Sequence, residues 1–230
     1  MRPRRDERMV TISMPRGGPA AGGAEREVED GDGLAEGGSL EGIFISGEAA
    51  SNRGAVIAPP HPLFGGSIES PVLSEIAYAC TKAGISSLRF NWRGVGASAG
   101  VPSGDDADAD ADYLAALTHI GETVGGPIVA CGYSFGAAAA ARVAFDRQRI
   151  DRLILVAPPP AMLPPDAFAR LARPVLVLVG ERDALVAPAR LRELAETAGG
   201  VQLQVIPEAD HFFGAGLADL SRLAAEWLGT

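Results

Sequence analysis

The chain alternates between predicted strands and predicted helices from residue 53 to its end. Apolar runs rich in β-branched residues lie at 55–58, 87–90, 128–131, 153–157, 175–179 and 202–206. Stretches of helical composition lie near 69–83, 109–120, 136–145, 166–172, 188–198 and 215–228. Strands that alternate with helices form βαβ units, which predict an α/β fold with a mostly parallel sheet covered on both faces. Open sheets of this kind bind ligands at the carboxyl ends of their strands, so residues that directly follow a strand are candidates for function.

The segment GYSFG, residues 132–136, joins the predicted strand at 128–131 to an alanine-rich helix. Its glycines suit a turn so sharp that larger side chains would clash with neighbouring backbone. The helix N-terminus also supplies unpaired N–H groups where an anion can form. A second Gly-x-Ser-x-Gly pattern surrounds Ser98, but it has no strand before it and no helix behind it. Ser134 is therefore predicted as a nucleophile, and Ser98 is not.

Together with other segments, this motif resembles the α/β-hydrolase superfamily, and more narrowly a group of small bacterial hydrolases without a cap. The resemblance rests on residues 60–66, 88–98, 132–136, 153–159 and 210–213 and covers about residues 40–229. It implies the α/β-hydrolase fold with no substantial cap domain. It also implies Ser134, Asp183 and His211 as a catalytic triad, Phe135 and Leu63 as oxyanion-hole residues, and neither a metal nor an organic cofactor.

The residues themselves also indicate His211 as the base, and they leave three candidates for the acid of the triad. An α/β-hydrolase carries its triad in the order Ser, acid, His, and His211 is the only histidine after Ser134. A histidine is the usual base for a serine nucleophile at neutral pH. Asp183 follows a strongly apolar strand and is the leading candidate for the acid that orients the imidazole. Glu181 and Asp210 are the alternatives, although Asp210 adjoins His211, where side chains rarely point at each other.

An oxyanion hole needs two N–H donors aimed at the developing charge. Phe135 supplies one because it follows the nucleophile, and the other is expected from the loop after the strand at 55–58. Pro62 has no N–H, so Leu63 is the first choice for the second donor and Phe64 is the alternative.

The segment 158–174 is short where larger lipases often insert a lid, so the sequence predicts an open cleft of modest size. Apolar residues expected to form its walls are Leu63, Phe64, Tyr133, Phe135, Met162, Leu163 and Phe212. Apolar walls with a few polar groups suit small neutral esters. The predicted function is a serine carboxylesterase for short acyl chains that works through an acyl-enzyme. Alternatives are a thioesterase, lactonase or peptidase with the same triad, or a non-catalytic interaction module on the same scaffold.

Composition bears on partners and location. The net charge is −9, and the acidic residues concentrate at 25–36 and 105–112, so a nucleic-acid partner is not expected. No stretch approaches the ~20 apolar residues of a membrane span, and the first residues lack a signal-peptide core. Cys80 and Cys131 lie in apolar surroundings and are expected to be free thiols. These features favour a cytoplasmic location, and they leave the oligomeric state open.

Residues 1–38 are predicted as an N-terminal extension and residues 39–230 as the hydrolase domain. Strand-like segments at 10–13 and 40–46 are candidates to pair as a hairpin across a flexible, glycine- and acid-rich loop at 15–38. Two other motifs are expected to have structural roles. Arg93 is expected to tie down the loop that follows the strand at 87–90, and the aspartates at 106, 108 and 110 are expected to favour a helix N-terminus.

Overall fold

A computed structural model describes residues 7–14, 38–47, 51–145, 147–164, 166–196 and 198–229. Its strands are β1 (Glu7–Ser13), β2 (Ser39–Ile45), β3 (Gly54–Ala58), β4 (Ser86–Phe90), β5 (Ile128–Tyr133), β6 (Ile150–Val156), β7 (Val175–Gly180) and β8 (Val201–Ile206). Its helices are α1 (Pro71–Lys82), α2 (Asp106–Thr123), α3 (Phe135–Ala144), α4 (Ala167–Arg170), α5 (Pro188–Glu196) and α6 (Leu217–Leu228). None of these described helices is both long enough and apolar enough to span a membrane.

The strands form one sheet in the order β1-β2-β4-β3-β5-β6-β7-β8. From β4 to β8 all neighbours are parallel, whereas β2 pairs antiparallel with both β1 and β4. Every residue of β3, β5 and β7 is buried, because α1 packs with α6 and α2 packs with α3 against the sheet. Parallel strands covered on both faces read as continuous apolar runs, which is why the sequence predicts them well. The predicted fold class is confirmed.

Polar contacts fix the loop that follows β4. The guanidinium of Arg93 donates to Asp112 at 2.8 Å and also pairs with Asp108, and both carboxylates belong to α2. The Asp105 side chain caps α2 by accepting the N–H of Ala107 at 2.8 Å. Arg142 of α3 pairs with two further carboxylates of α2, at positions 106 and 110. The predicted roles of Arg93 and of the aspartate-rich segment are confirmed.

The N-terminal strand β1 extends the sheet at its edge. It pairs with β2 along its full length, from Glu7 opposite Ile45 to Ser13 opposite Ser39. The Glu7 carboxylate accepts a hydrogen bond at 2.9 Å from Arg89, a buried side chain of β4. The two strand-like segments of the sequence therefore pair as predicted, although β1 begins three residues earlier than the pattern suggests. Residues 15–37 of the predicted flexible loop lie outside the described residues.

The connection between β6 and β7 is short. Apart from position 165, the structure describes it as a single 3₁₀ turn, Pro160–Met162, followed by the four-residue helix α4. Neither element is long enough to form a cap over the carboxyl end of the sheet. The end of the sheet that follows β5, β7 and β8 is therefore left open on this side.

Candidate active site

Ser134 occupies a sharp turn between β5 and α3. Its backbone has φ 54° and ψ −116°, a conformation that costs a residue with a Cβ on the order of 1–3 kcal/mol. The Ser134 N–H donates to the Val156 carbonyl of β6 at 2.8 Å, which ties the turn to the sheet. Ser134 is partly exposed at this turn, whereas its neighbours Tyr133 and Phe135 are buried.

The two glycines of the motif are required by close backbone contacts. A Cβ on Gly132 would overlap the carbonyl group of Gly136. A Cβ on Gly136 would stand 2.5 Å from the carbonyl oxygens of Ala58 and Pro59, at the end of β3. The turn therefore packs both on itself and on the neighbouring strand, and neither glycine position has room for a side chain.

Replacement of Gly136 by alanine is expected to destabilise the fold by about 3 kcal/mol, because neither carbonyl it would meet can move without shifting the backbone. For a chain of this size the change corresponds to a fall in Tm of roughly 6–12 °C. Thermal unfolding measures it. Gly125→Ala is the matched control, since a Cβ there meets no atom within 4 Å. Equal Tm values for the two variants would contradict the packing argument.

His211 connects Ser134 to Asp183 through both ring nitrogens. Its Nε2 lies 3.1 Å from the Ser134 hydroxyl oxygen, and its Nδ1 lies 2.8 Å from Asp183 Oδ2. The second carboxylate oxygen of Asp183 accepts the N–H groups of Leu185 at 2.9 Å and Val186 at 2.7 Å. Asp183 follows β7 and His211 follows β8, and both side chains are buried. The structure thus brings together the three residues that the sequence proposed.

The other acids considered for this role bind loop backbone. Glu181 accepts the N–H of Glu208 at 3.1 Å. Asp210 Oδ1 accepts the N–H groups of Phe212 at 3.1 Å and Gly214 at 3.2 Å, and so it shapes the loop that carries the histidine. Among the described residues, the carboxylate bonded to the imidazole is that of Asp183.

Tyr133 lies beneath the site and not in the wall of a cleft. Its side chain is buried, and its hydroxyl donates to the main-chain carbonyl of His211 at 2.7 Å. Its ring centroid lies 5.6 Å from that of His211. Burial, with the nearby Asp183 carboxylate, raises the pKa of the Tyr133 phenol, so the hydroxyl stays a donor. The sequence prediction of a wall residue is thus corrected, because the pattern around Ser134 does not reveal which way this side chain turns.

Three N–H groups were candidates for the oxyanion hole, those of Phe135, Leu63 and Phe64. Phe135 is the first residue of α3, so its N–H is one of the four in a helix that have no intrahelical acceptor. The Leu63 N–H, in the 3₁₀ turn Pro62–Phe64, donates to the His61 side chain at 3.2 Å. The Phe64 N–H donates instead to the His61 carbonyl at 3.1 Å. Both N–H groups of the turn therefore have an acceptor on His61, a ring nitrogen for Leu63 and the carbonyl oxygen for Phe64, and Leu63 stays the predicted second donor.

The remaining wall residues differ in how far they are exposed. Phe64 is 86% exposed and Phe212 is 73% exposed, so both form the rim of an open site, whereas Met162 is half-buried. Leu163 is buried and lines a small cavity with residues of α4 and α5, so it offers little surface to a ligand. Leu185, whose backbone N–H donates to Asp183, is also 67% exposed, and the sequence analysis did not single it out.

The family and the fold are supported by known proteins. Residues 63–173 match a family model described as serine aminopeptidase, S33. An α/β serine hydrolase homologue from Coxiella burnetii is 31% identical with a TM-score of 0.75, over 83% of this chain and 92% of that protein. A serine hydrolase without a lid from Xanthomonas campestris is 26% identical with a TM-score of 0.77, over 96% and 92% of the two chains. An uncharacterized protein from Rickettsia prowazekii is 27% identical over 84% of this chain and 85% of its own. With this likeness and its mostly parallel sheet, the chain belongs to the α/β-hydrolase superfamily, among its small serine hydrolases without a cap.

Proposed function

We propose that this protein hydrolyses small carboxylic esters, with Ser134 as nucleophile, His211 as general base and Asp183 as the acid that orients the base. The observation that carries the proposal is the unbroken pair of contacts from Ser134 Oγ to His211 Nε2 and from His211 Nδ1 to Asp183 Oδ2. A serine hydroxyl becomes a strong nucleophile when an oriented imidazole accepts its proton.

In the first half-reaction, Ser134 Oγ attacks the ester carbonyl carbon while its proton passes to His211 Nε2. The carbonyl oxygen becomes an oxyanion, which the N–H groups of Phe135 and Leu63 stabilise. Asp183 stabilises the imidazolium through Nδ1. The intermediate then collapses, the bond to the alkoxy oxygen breaks, and His211 returns the proton to that oxygen. The products of this half-reaction are an alcohol and an acyl-enzyme ester on Ser134.

In the second half-reaction, water replaces the alcohol. His211 Nε2 takes a proton from the water as its oxygen attacks the acyl carbon, and the same two N–H groups bind the oxyanion. Collapse of this intermediate breaks the bond to Ser134 Oγ, which recovers its proton from His211. The carboxylic acid leaves and the enzyme returns to its starting state.

The apolar rim of the site favours the proposal of a small, uncharged substrate. Leu63, Phe64, Leu185 and Phe212 expose apolar side chains beside the residues proposed to do the chemistry. Apolar surface around a few convergent polar groups is typical of sites for small ligands. A long acyl chain needs an apolar enclosure along its length, and the short β6–β7 connection supplies no cap for one. Short acyl chains are therefore proposed.

Initial rates on p-nitrophenyl acetate, butyrate and palmitate test this proposal. The expected kcat/KM for butyrate exceeds that for palmitate by at least about tenfold, the discrimination that a few misplaced methylenes produce. A butyryl thioester, a butyrolactone and an aminoacyl anilide complete the panel, the last because the matched family is named for serine aminopeptidases. A higher kcat/KM on any of these three would replace the ester proposal. Absence of turnover on the whole panel by folded protein would favour the non-catalytic alternative.

A further inference from the structure

His61 directly precedes the 3₁₀ turn Pro62–Phe64, and its ring is in contact with residues on several sides. Its ring centroid is 4.8 Å from that of Phe64 and 4.6 Å from that of Phe135. Its Nε2 edge packs against Gly104, where a Cβ would stand 2.7–2.8 Å from ring atoms. Its Nδ1 accepts the Leu63 N–H at 3.2 Å. One imidazole therefore touches both residues that are proposed to donate to the oxyanion.

The hydrogen bond defines the protonation state of this ring. Because a backbone N–H always donates, Nδ1 must be the unprotonated nitrogen, and the neutral ring carries its proton on Nε2. Burial lowers the pKa of His61, which favours the neutral form. The residues packed against the ring belong to the turn itself (Leu63, Phe64), to α3 (Phe135) and to the loop before α2 (Gly104), and none of them titrates.

We infer that His61 is a positioning residue for the oxyanion hole: its neutral imidazole aligns the Leu63 N–H, and protonation of the ring releases it. The inference rests on the function proposed above. At 3.2 Å the bond lies at the long end of N–H hydrogen bonds, so a stronger acceptor such as an oxyanion can share the Leu63 N–H or replace Nδ1 as its acceptor. On protonation, Nδ1–H and the Leu63 N–H become two donors that face each other, and the turn loses its cap.

Two substitutions separate this role from simple packing. Asparagine places its Oδ1 where histidine has Nδ1, accepts an N–H two residues ahead, and does not titrate. His61→Asn is therefore expected to keep kcat at pH 8 within about threefold of the wild type, since the acceptor that aligns the donor is retained. His61→Leu keeps apolar bulk without an acceptor, and its kcat is expected to fall by about 10- to 100-fold with little change in KM, because the oxyanion exists only in the transition state.

The pH profile gives a readout that a merely structural role would not change. Protonation of His61 adds one inactivating step at low pH in the wild type, and His61→Asn lacks that step because asparagine does not titrate. The acid limb of log(kcat/KM) is therefore expected to be steeper for the wild type than for His61→Asn. The comparison uses p-nitrophenyl butyrate between pH 5 and 8, with far-UV circular dichroism at each pH to verify folding. Should His61→Leu fail to fold, the two remaining profiles decide the question.

Coincident acid limbs for the wild type and His61→Asn would overturn the inference. So would wild-type kcat in a folded His61→Leu variant, and in both cases the ester proposal would stand. ¹⁵N chemical shifts of the imidazole in Ser134→Ala add a test that needs no turnover. The inference expects Nδ1 of His61 to be the unprotonated nitrogen at pH 8, and a proton on Nδ1 would refute it. A wild type that neither turns over esters nor reacts with a fluorophosphonate would refute the proposed function itself.

Discussion

Replacement of Ser134 by alanine is expected to lower kcat for p-nitrophenyl butyrate by about 10⁶-fold, the loss that follows removal of the serine from such a triad. The variant keeps the Cβ and loses only the hydroxyl that lies 3.1 Å from His211 Nε2. No acyl-enzyme can then form. Intact mass after treatment with a fluorophosphonate provides the second measurement: one adduct is expected on the wild type and none on the variant.

Ser98→Ala is the matched control because Ser98 lies in the other Gly-x-Ser-x-Gly pattern. Its hydroxyl accepts the Glu41 N–H at 2.9 Å and donates to the Asn91 carbonyl at 3.0 Å, so both of its hydrogen bonds hold a loop in place. The control is expected to be less stable by about 1–3 kcal/mol, since it leaves buried polar groups unpaired, and to keep the adduct. An adduct that survives in Ser134→Ala would assign the nucleophile elsewhere.

Asp183→Asn is expected to lower kcat by about 10³- to 10⁴-fold while the Tm stays close to that of the wild type. The asparagine oxygen can still accept the N–H groups of Leu185 and Val186, which leaves its NH₂ group facing His211 Nδ1. A donor in that position forces the imidazole proton onto Nε2. The nitrogen that has to accept the Ser134 proton is then already protonated. Steady-state kinetics and thermal unfolding of the same preparation measure both effects.

Asp210→Asn makes the same chemical change one residue away from the histidine. Asp210 binds the N–H groups of Phe212 and Gly214 through Oδ1, and an asparagine oxygen can replace that acceptor. Its kcat is expected to stay within about threefold of the wild type, because no contact with the imidazole is lost. Comparable losses of kcat in the two variants would mean that the loop as a whole, and not Asp183, orients the base.

The parallel part of the sheet could be predicted from the sequence because its central strands are buried on both faces. Residues 128–133 and 175–180 read as continuous apolar runs, and no other environment suits them as well. The start of β1 is different. Residues 7–9 are exposed, so backbone pairing with β2 defines this part of the strand, and the side-chain pattern carries no sign of it.

The three residues proposed as the triad could be predicted from their order in the chain and from their positions at the ends of strands. Ser134, Asp183 and His211 each follow a strand, and parallel strands bring their carboxyl ends to one edge. The orientation of Tyr133 depends on how β5 meets the histidine loop, which is a property of tertiary packing. The contact between His61 and Leu63 required knowledge that the chain closes a 3₁₀ turn, for which Pro62 at its first position was the available signal.

The proposed role of Ser134 and the stability of its turn make opposite demands on position 134. With φ at 54°, the position is one where glycine rests without strain and every residue with a Cβ does not. Glycine at 134 is therefore expected to give the more stable fold, whereas the proposed nucleophile requires serine at this position. The buried core on both faces of the sheet therefore has to offset the unfavourable backbone conformation of Ser134.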